Sequence, residues 1–243
     1  MGRKILIGFG ICCGIITVLW IVARVTGMLL FYNIPTPANE PTIKQGDKVF
    51  TTNLKQAKPY QFIAFKSKYQ DSVMSTYMEN YEAGAIYLYR LCGTPGDILE
   101  MKNGILFVNN KNFDEELNLN NQFKISNTDV AKIEEADIAG TEDQNPIIMN
   151  DGDYAIVTFE KTLIKKYQSK IKLTPFIIED TSTMSGTFKW FDKNSTWTAD
   201  NFGPLKIPSG CYFALGDNRH NAMDSRYTGF IKAADIKGVV LNK

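Results

Sequence analysis

The chain has 243 residues, 44% hydrophobic and 22% charged, with 27 basic against 26 acidic side chains and a formal net charge of +1. That is too apolar for a disordered chain, too evenly charged for a nucleic-acid binder, and long enough to bury one large core or two small ones. The charge is unevenly spread: the first 32 residues hold Arg3, Lys4 and Arg24 and no acid, leaving 24 bases against 26 acids beyond them, a net −2.

The apolar head comes first. Ile5 to Ala23 is a run of 19 uncharged residues, which as a helix spans about 28 Å, close to the hydrocarbon thickness of a bilayer. The helix can run on through Val25–Phe31 if Arg24 snorkels to the headgroups. Arg3 and Lys4 before the run predict an N-terminus in the cytoplasm and a body outside. A cleaved signal has an apolar region of roughly 7–15 residues ending in a small-x-small site. The bulky Met28-Leu29-Leu30-Phe31-Tyr32 offers no such site, so residues 1–32 read as cytoplasmic tip and uncleaved anchor, with a removed signal as the alternative.

The body reads mainly as strands: Lys48–Thr52, Gln61–Lys66, Ile86–Cys92, Ile98–Met101, Ile105–Asn109, Tyr154–Phe159, Tyr212–Leu215 and Gly238–Leu241, each rich in β-branched and aromatic residues. Asn103-Gly104 predicts a tight turn between two of them. Helices are expected over Thr128–Ala136, where Val130, Ile133 and Ala136 keep helical spacing, and over roughly Glu160–Ile171. Residues 110–201 are polar and irregular and read as an insertion between 33–109 and 202–243; Trp190 and Trp197 within it read as packing. Cys12 and Cys13 lie in the anchor as small apolar residues, and whether Cys92 and Cys211 pair is left open by the sequence.

Three segments carry chemistry. Ile34 to Ile43 reads IPTPANEPTI, Tyr89 to Asp97 reads YRLCGTPGD, and Gly216 to Ile231 reads GDNRHNAMDSRYTGFI. In this order behind an N-terminal anchor they resemble the bacterial signal peptidase I family, the third segment being the most specific. The resemblance covers most of the chain outside 110–200 and Pro59–Phe65. In the latter the family has an Arg-Gly-Asp-Ile-Val-like run, whereas this chain has Tyr60-Gln61-Phe62-Ile63-Ala64-Phe65. It implies a coiled, mostly antiparallel β domain with an inserted α+β subdomain, tethered at the outer face of the bacterial cytoplasmic membrane. It also implies cleavage of exported preproteins by a serine nucleophile and a lysine base, with no cofactor and no metal. Such a lysine works only if desolvation keeps it neutral, with hydroxyls to orient it and donors to hold the oxyanion.

Carried over residue by residue, the family's nucleophile falls on Ala38, its general base on Tyr89 and the serine that orients the base on Ala222. Alanine has no nucleophile, and a phenol with an ordinary pKa near 10 is a poor base at neutral pH. Thr36 matches a hydroxyl that supports the oxyanion, and Thr36, Asn39, Glu40 and Pro41 are the candidate oxyanion or peptide contacts. Arg90, Asp97, Asp217, Asn218, Arg219, Asp224, Ser225 and Arg226 are expected to form a lattice holding the loops, with Ser225 a structural hydroxyl. His220, the only histidine, reads as a solvated loop residue, and Lys44 and Lys48 read as a solvated strand edge. No zinc-ligand spacing or phosphate-binding glycine loop is present.

The function implied is a membrane-anchored protein that binds signal peptides or exported preproteins as extended strands without cleaving them, beside membrane lipid and an active homologue. The alternatives are a working peptidase with an unrecognised nucleophile and a structural envelope protein.

Overall fold

A computed structural model gives the architecture and describes residues 2–77, 79, 81–138, 147–179, 188–192 and 194–243. The chain opens with helix α1 (Gly2–Val25). Its span Ile5–Val25, 21 residues of mean hydropathy 2.7 with no part buried against the body, is long and apolar enough to cross a membrane. The helix does not run on toward Phe31. It stops at Val25, the chain turns at Gly27 with φ of 76°, and Leu30–Asn33 form β1 instead. The left-handed turn suits glycine. The strand is fixed by pairing with β2 (Lys48–Thr52), which sets Phe31 opposite Phe50.

Next come β3 (Phe62–Phe65), helix α2 (Lys68–Tyr77), β4 (Tyr87–Gly93), β5 (Ile98–Lys102), β6 (Ile105–Val108) and the short β7 (Lys111–Asn112). The middle of the chain forms β8 (Asn121–Ser126), α3 (Asn127–Val130), α4 (Glu135–Ile138), β9 (Ile147–Asp151), β10 (Tyr154–Phe159), α5 (Lys161–Tyr167) and β11 (Thr174–Pro175). The return is β12 (Phe202–Lys206), β13 (Cys211–Leu215), α6 (Ser225–Thr228), β14 (Ile231–Lys232) and β15 (Ile236–Val240).

These strands make a seven-stranded sheet in the order β1-β2-β15-β3-β4-β13-β14 and two four-stranded sheets, β12-β5-β6-β7 and β11-β8-β10-β9. Pairing between their strands is antiparallel. The fold is mainly β, behind one apolar helix, as expected. Asn103 and Gly104 take φ of 49° and 78° between β5 and β6, the paired left-handed residues that a two-residue hairpin needs. The departure at Pro59–Phe65 does not cost a strand: β3 is buried throughout and lies between β15 and β4 in the large sheet.

Two helices differ from expectation. Thr128–Ala136 is broken into α3 and α4, because turns closed by Lys132 N–H to Asp129 O and Ile133 N–H to Val130 O carry Ile133 into a buried cluster with Ile125, Val157 and Phe159. Ser126 caps α3, its Oγ accepting from Thr128 N–H. The second helix covers only Lys161–Tyr167, and a further turn brings Ile171 onto the same cluster. The middle region thus holds a sheet of its own where the sequence reads as irregular. From the same region, Phe113, Leu117, Leu119 and Phe188 pack with Leu99, Leu106, Phe202 and Phe213, and Trp190 and Trp197 pack against them.

Candidate functional site

The segment after β1 is folded back on itself. Ile34 N–H donates to Asp47 O and Gly46 N–H to Ile34 O, while turns closed by Glu40 N–H to Pro37 O and Ile43 N–H to Asn39 O leave Ala38 buried at the bend. Ala38 O accepts from Asn218 N–H at 3.1 Å. Between Ala38 and Ala222 runs Gly216: a Cβ there would stand 2.4 Å from Ala222 Cβ and 2.4 Å from Ala38 O, so only glycine lets the three backbones meet. Tyr89 enters from the middle of β4. Ala38, Tyr89 and Ala222 therefore share one buried cluster with Ile63, Phe65, Leu91, Ala214, Ile231 and Val239. The fold gathers all three positions, and the gathered side chains are two methyl groups and a phenol.

Tyr89 is 7% exposed. Burial, reinforced by the negative charge of Asp224, pushes its phenol well above the ordinary tyrosine range, so it stays neutral. Its Oη–H donates to Met223 O at 3.0 Å and accepts from Gln70 Nε2 of α2 at 3.4 Å; Gln70 also donates to Met223 O at 2.9 Å. A neutral phenol whose proton is already engaged by a carbonyl has no basicity to offer. Asn39 does not face an oxyanion with its amide: its Nδ2 donates to Leu88 O at 2.7 Å, and its Oδ1 is buried without a partner among the described residues. Thr36 is exposed on the loop, Glu40 Oε1 accepts from Gln45 N–H at 3.2 Å, and Pro41 follows a cis peptide bond.

The charged positions sit beside this cluster, each engaged. Arg90, next to Tyr89 and therefore on the other face of β4, grips Asp217 through Nε at 2.7 Å and Nη2 at 2.5 Å. It also donates to Tyr60 O and Thr42 Oγ1, with the Phe62 ring 4.2 Å from its guanidinium carbon. Thr42 Oγ1–H donates to Asp217 at 2.5 Å, so one knot ties all three motif segments. Asp224 and Arg226 are fully buried and bidentate, at 2.8 Å for both Nε and Nη2. Burial favours loss of the Arg226 proton, but the Asp224 charge outweighs it and holds the guanidinium more firmly protonated than usual. Asp224 Oδ2 further accepts from Gly216 N–H, and Ser225 Oγ accepts from Ala214 N–H at 3.1 Å deep in the core. Asp97 is more remote: burial raises its carboxyl, yet hydrogen bonds from Thr94 and Asn109 hold it below its ordinary value.

Several partners lie outside the reach of the motifs. Arg219 makes a bidentate pair with Asp114 at 2.7 and 2.6 Å, and Asn120 bridges Asn218, so residues 114–120 strap the third segment. His220 is not solvated. Its side chain is 5% exposed, with Nε2–H donating to Asp200 at 2.9 Å and the ring edge-on to Phe176. Burial raises the Asp200 carboxyl, but the bond and charge of His220 bring it below the ordinary value. Lys44 and Lys48 are exposed. Cys92 and Cys211 are both free, and burial pushes the Cys92 thiol up to about 12. Among the described residues no cluster of three or more His, Cys, Asp or Glu is arranged to hold a metal.

The family model for signal peptidase, peptidase S26, matches residues 6–242. The chain belongs to that family. It is 26% identical over 223 residues to signal peptidase I P of Bacillus subtilis subsp. natto, covering 90% of this chain and 84% of the relative. It is 27% identical over 227 residues to signal peptidase I of Buchnera aphidicola subsp. Baizongia pistaciae (strain Bp), covering 86% and 67%. A crystal structure of a signal peptidase I from Enterococcus faecalis V583 aligns over 77% of this chain and 98% of its own, at 22% identity and a TM-score of 0.34, too low to bear on the fold.

Proposed function

We propose that this member of the family binds signal peptides or exported preproteins at the outer face of a bacterial cytoplasmic membrane and does not cleave them. The observation that carries the reading is the convergence of Ala38, Tyr89 and Ala222 in one buried apolar cluster, where no hydroxyl nucleophile and no neutral amine is present. Buried, neutral Tyr89 cannot replace a lysine base, and Ser225, inside the third segment, spends its hydroxyl on Ala214 N–H. The basic Arg3 and Lys4 ahead of α1 support a cytoplasmic N-terminus and an outward body. Exposed Met28, Leu29, Phe31, Phe50 and Leu54 next to the helix end support contact of the body with lipid.

The test uses the full chain in detergent or nanodiscs with a preprotein bearing a small-x-small site. No cleavage is expected from the wild-type chain or from single variants. The combined Ala38→Ser, Tyr89→Lys and Ala222→Ser variant is expected to cleave, because the surrounding framework is intact. Cleavage by wild type that persists after removal of any active homologue overturns the reading. A structural envelope protein is the second reading, favoured by the way Tyr89 and Gln70 fill and cover the cluster; absence of preprotein binding by every variant would select it.

A further inference from the structure

β3 and β4 are antiparallel neighbours with Phe65 opposite Tyr87, so residues 66–86 join two adjacent strand ends that a short turn could connect. The chain instead builds α2 there, begun by Ser67, whose Oγ accepts from Gln70 N–H at 3.1 Å. The helix lies over the degenerate cluster. Gln70, 1% exposed, reaches Tyr89 Oη and Met223 O.

What holds α2 down is not the packing of an apolar face. None of the hydrophobic clusters contains a residue of this helix, including Val73 and Met74. The attachment is polar. Asp71 Oδ1 accepts from Tyr81 Oη and Tyr87 Oη, both at 2.7 Å, and Oδ2 accepts from Gly84 N–H at 2.8 Å. The two phenol oxygens also lie in contact, so their two protons are shared between that contact and the carboxylate. This carboxylate thus ties the helix to both the returning loop and the first residue of β4. The closed arrangement also leaves Gln70 Oε1 buried without a partner among the described residues, a group that regains hydrogen bonds once the helix lifts. Elements with few buried apolar contacts and a small set of polar ties open separately from the core around them.

We propose that α2 is a lid on the degenerate site, closed by Gln70 and latched by Asp71, and that it lifts to admit an extended peptide. This rests on the peptide-binding reading above and adds its regulation: apparent affinity is set by the fraction of molecules with the latch undone. The inward side chains of the lid are polar, with Gln70 and Asp71 buried, Val73 and Met74 half-buried and Lys68, Tyr69, Ser72, Ser75 and Thr76 outward, so little apolar surface of the helix itself is lost from the core when it lifts.

The experiment is hydrogen–deuterium exchange on the full chain in nanodiscs, paired with binding of a fluorescent synthetic signal peptide ending in a small-x-small site. Asp71→Asn loosens the latch; Gln70→Ala and Tyr81→Phe are independent variants should it fold poorly. Wild-type amides of residues 69–76 are expected to exchange faster than those of β3 and β4. The variants should speed exchange in α2 alone and tighten peptide binding, by about tenfold if the open fraction rises tenfold. Unchanged α2 exchange in all three variants overturns the lid. Faster exchange with peptide binding equal to wild type also overturns it, while leaving the peptide-binding reading in place. Faster exchange with no binding by any variant removes both.

Discussion

Two regions that touch are built on opposite terms. On one side of β4, Tyr89 sits with Ala38 and Ala222 in an apolar cluster of methyl groups and a phenol. On the other, Arg90 keeps its bidentate hold on Asp217, and one loop further on Asp224 keeps Arg226. The difference lies in what each loss leaves behind. Taking one member from a buried ion pair strands the other charge, at about 3–5 kcal/mol. A lysine kept neutral by burial would be an expense to the fold, whereas a large apolar side chain with one satisfied hydroxyl is not. The lattice is thus held by its own electrostatics, and the trio by apolar packing.

The largest effect is expected where that electrostatic hold is strongest. Asp224→Ala should cost about 3–5 kcal/mol, because Arg226 is left wholly buried without its counter-charge; denaturant unfolding of the full chain in detergent measures it. A loss under about 1 kcal/mol would break the comparison, since exposed ion pairs give as little. Next comes Tyr89→Lys, which places an amine in the apolar cluster and should destabilise by roughly 1–3 kcal/mol, part of it recovered when Ala38→Ser and Ala222→Ser supply partners. A stabilising Tyr89→Lys would show that apolar packing is not what holds this cluster.

Acid should separate the regions further. Asp200 titrates below its ordinary value of 3.8 in the folded chain, so its contribution is present above that value and lost as pH falls through the depressed one. The stability gap between wild type and Asp200→Asn should be flat near pH 5 and shrink toward pH 2; a gap that widens refutes the pairing with His220. The smallest effect belongs to Tyr89→Phe. Met223 O keeps Gln70 as a donor, so about 0.5–1.5 kcal/mol is expected, one neutral hydrogen bond's worth.

Much of this was legible in the chain because local rules governed it. Lys48–Thr52 and Tyr154–Phe159 form strands at the bounds their β-branched and aromatic residues suggest, and Asn103-Gly104 turns as that dipeptide should. The long third motif placed Ala222 beside Ala38 through Gly216. Other features were settled by distant contacts. The partner of Arg219 is Asp114, 105 positions away, and no spacing rule reaches that far. His220 looked solvated because its neighbours in sequence are polar, yet Asp200 and Phe176 enclose it from the middle region. Helix α2 escaped notice because Lys68–Tyr77 has no apolar stripe; its inward residues are Gln70 and Asp71. The strand Asn121–Ser126 was masked by Gln122 and Lys124 on a run whose Ile125 is buried.

The joint between helix and sheet has a consequence for encounter. Thr26 Oγ1 donates to Val22 O, Asn53 Nδ2 to Thr26 O, Asn53 N–H to Gly27 O and Thr52 Oγ1 to Met28 O, so the connection from α1 to β1 is stitched to the end of β2. The large sheet is therefore fixed to the end of α1 by four hydrogen bonds' worth of stitching, like a sign to a post. With α1 embedded in a bilayer, as proposed above, the sheet and the cluster around Ala38 would move with it, and the search for a partner would become a lateral drift in two dimensions.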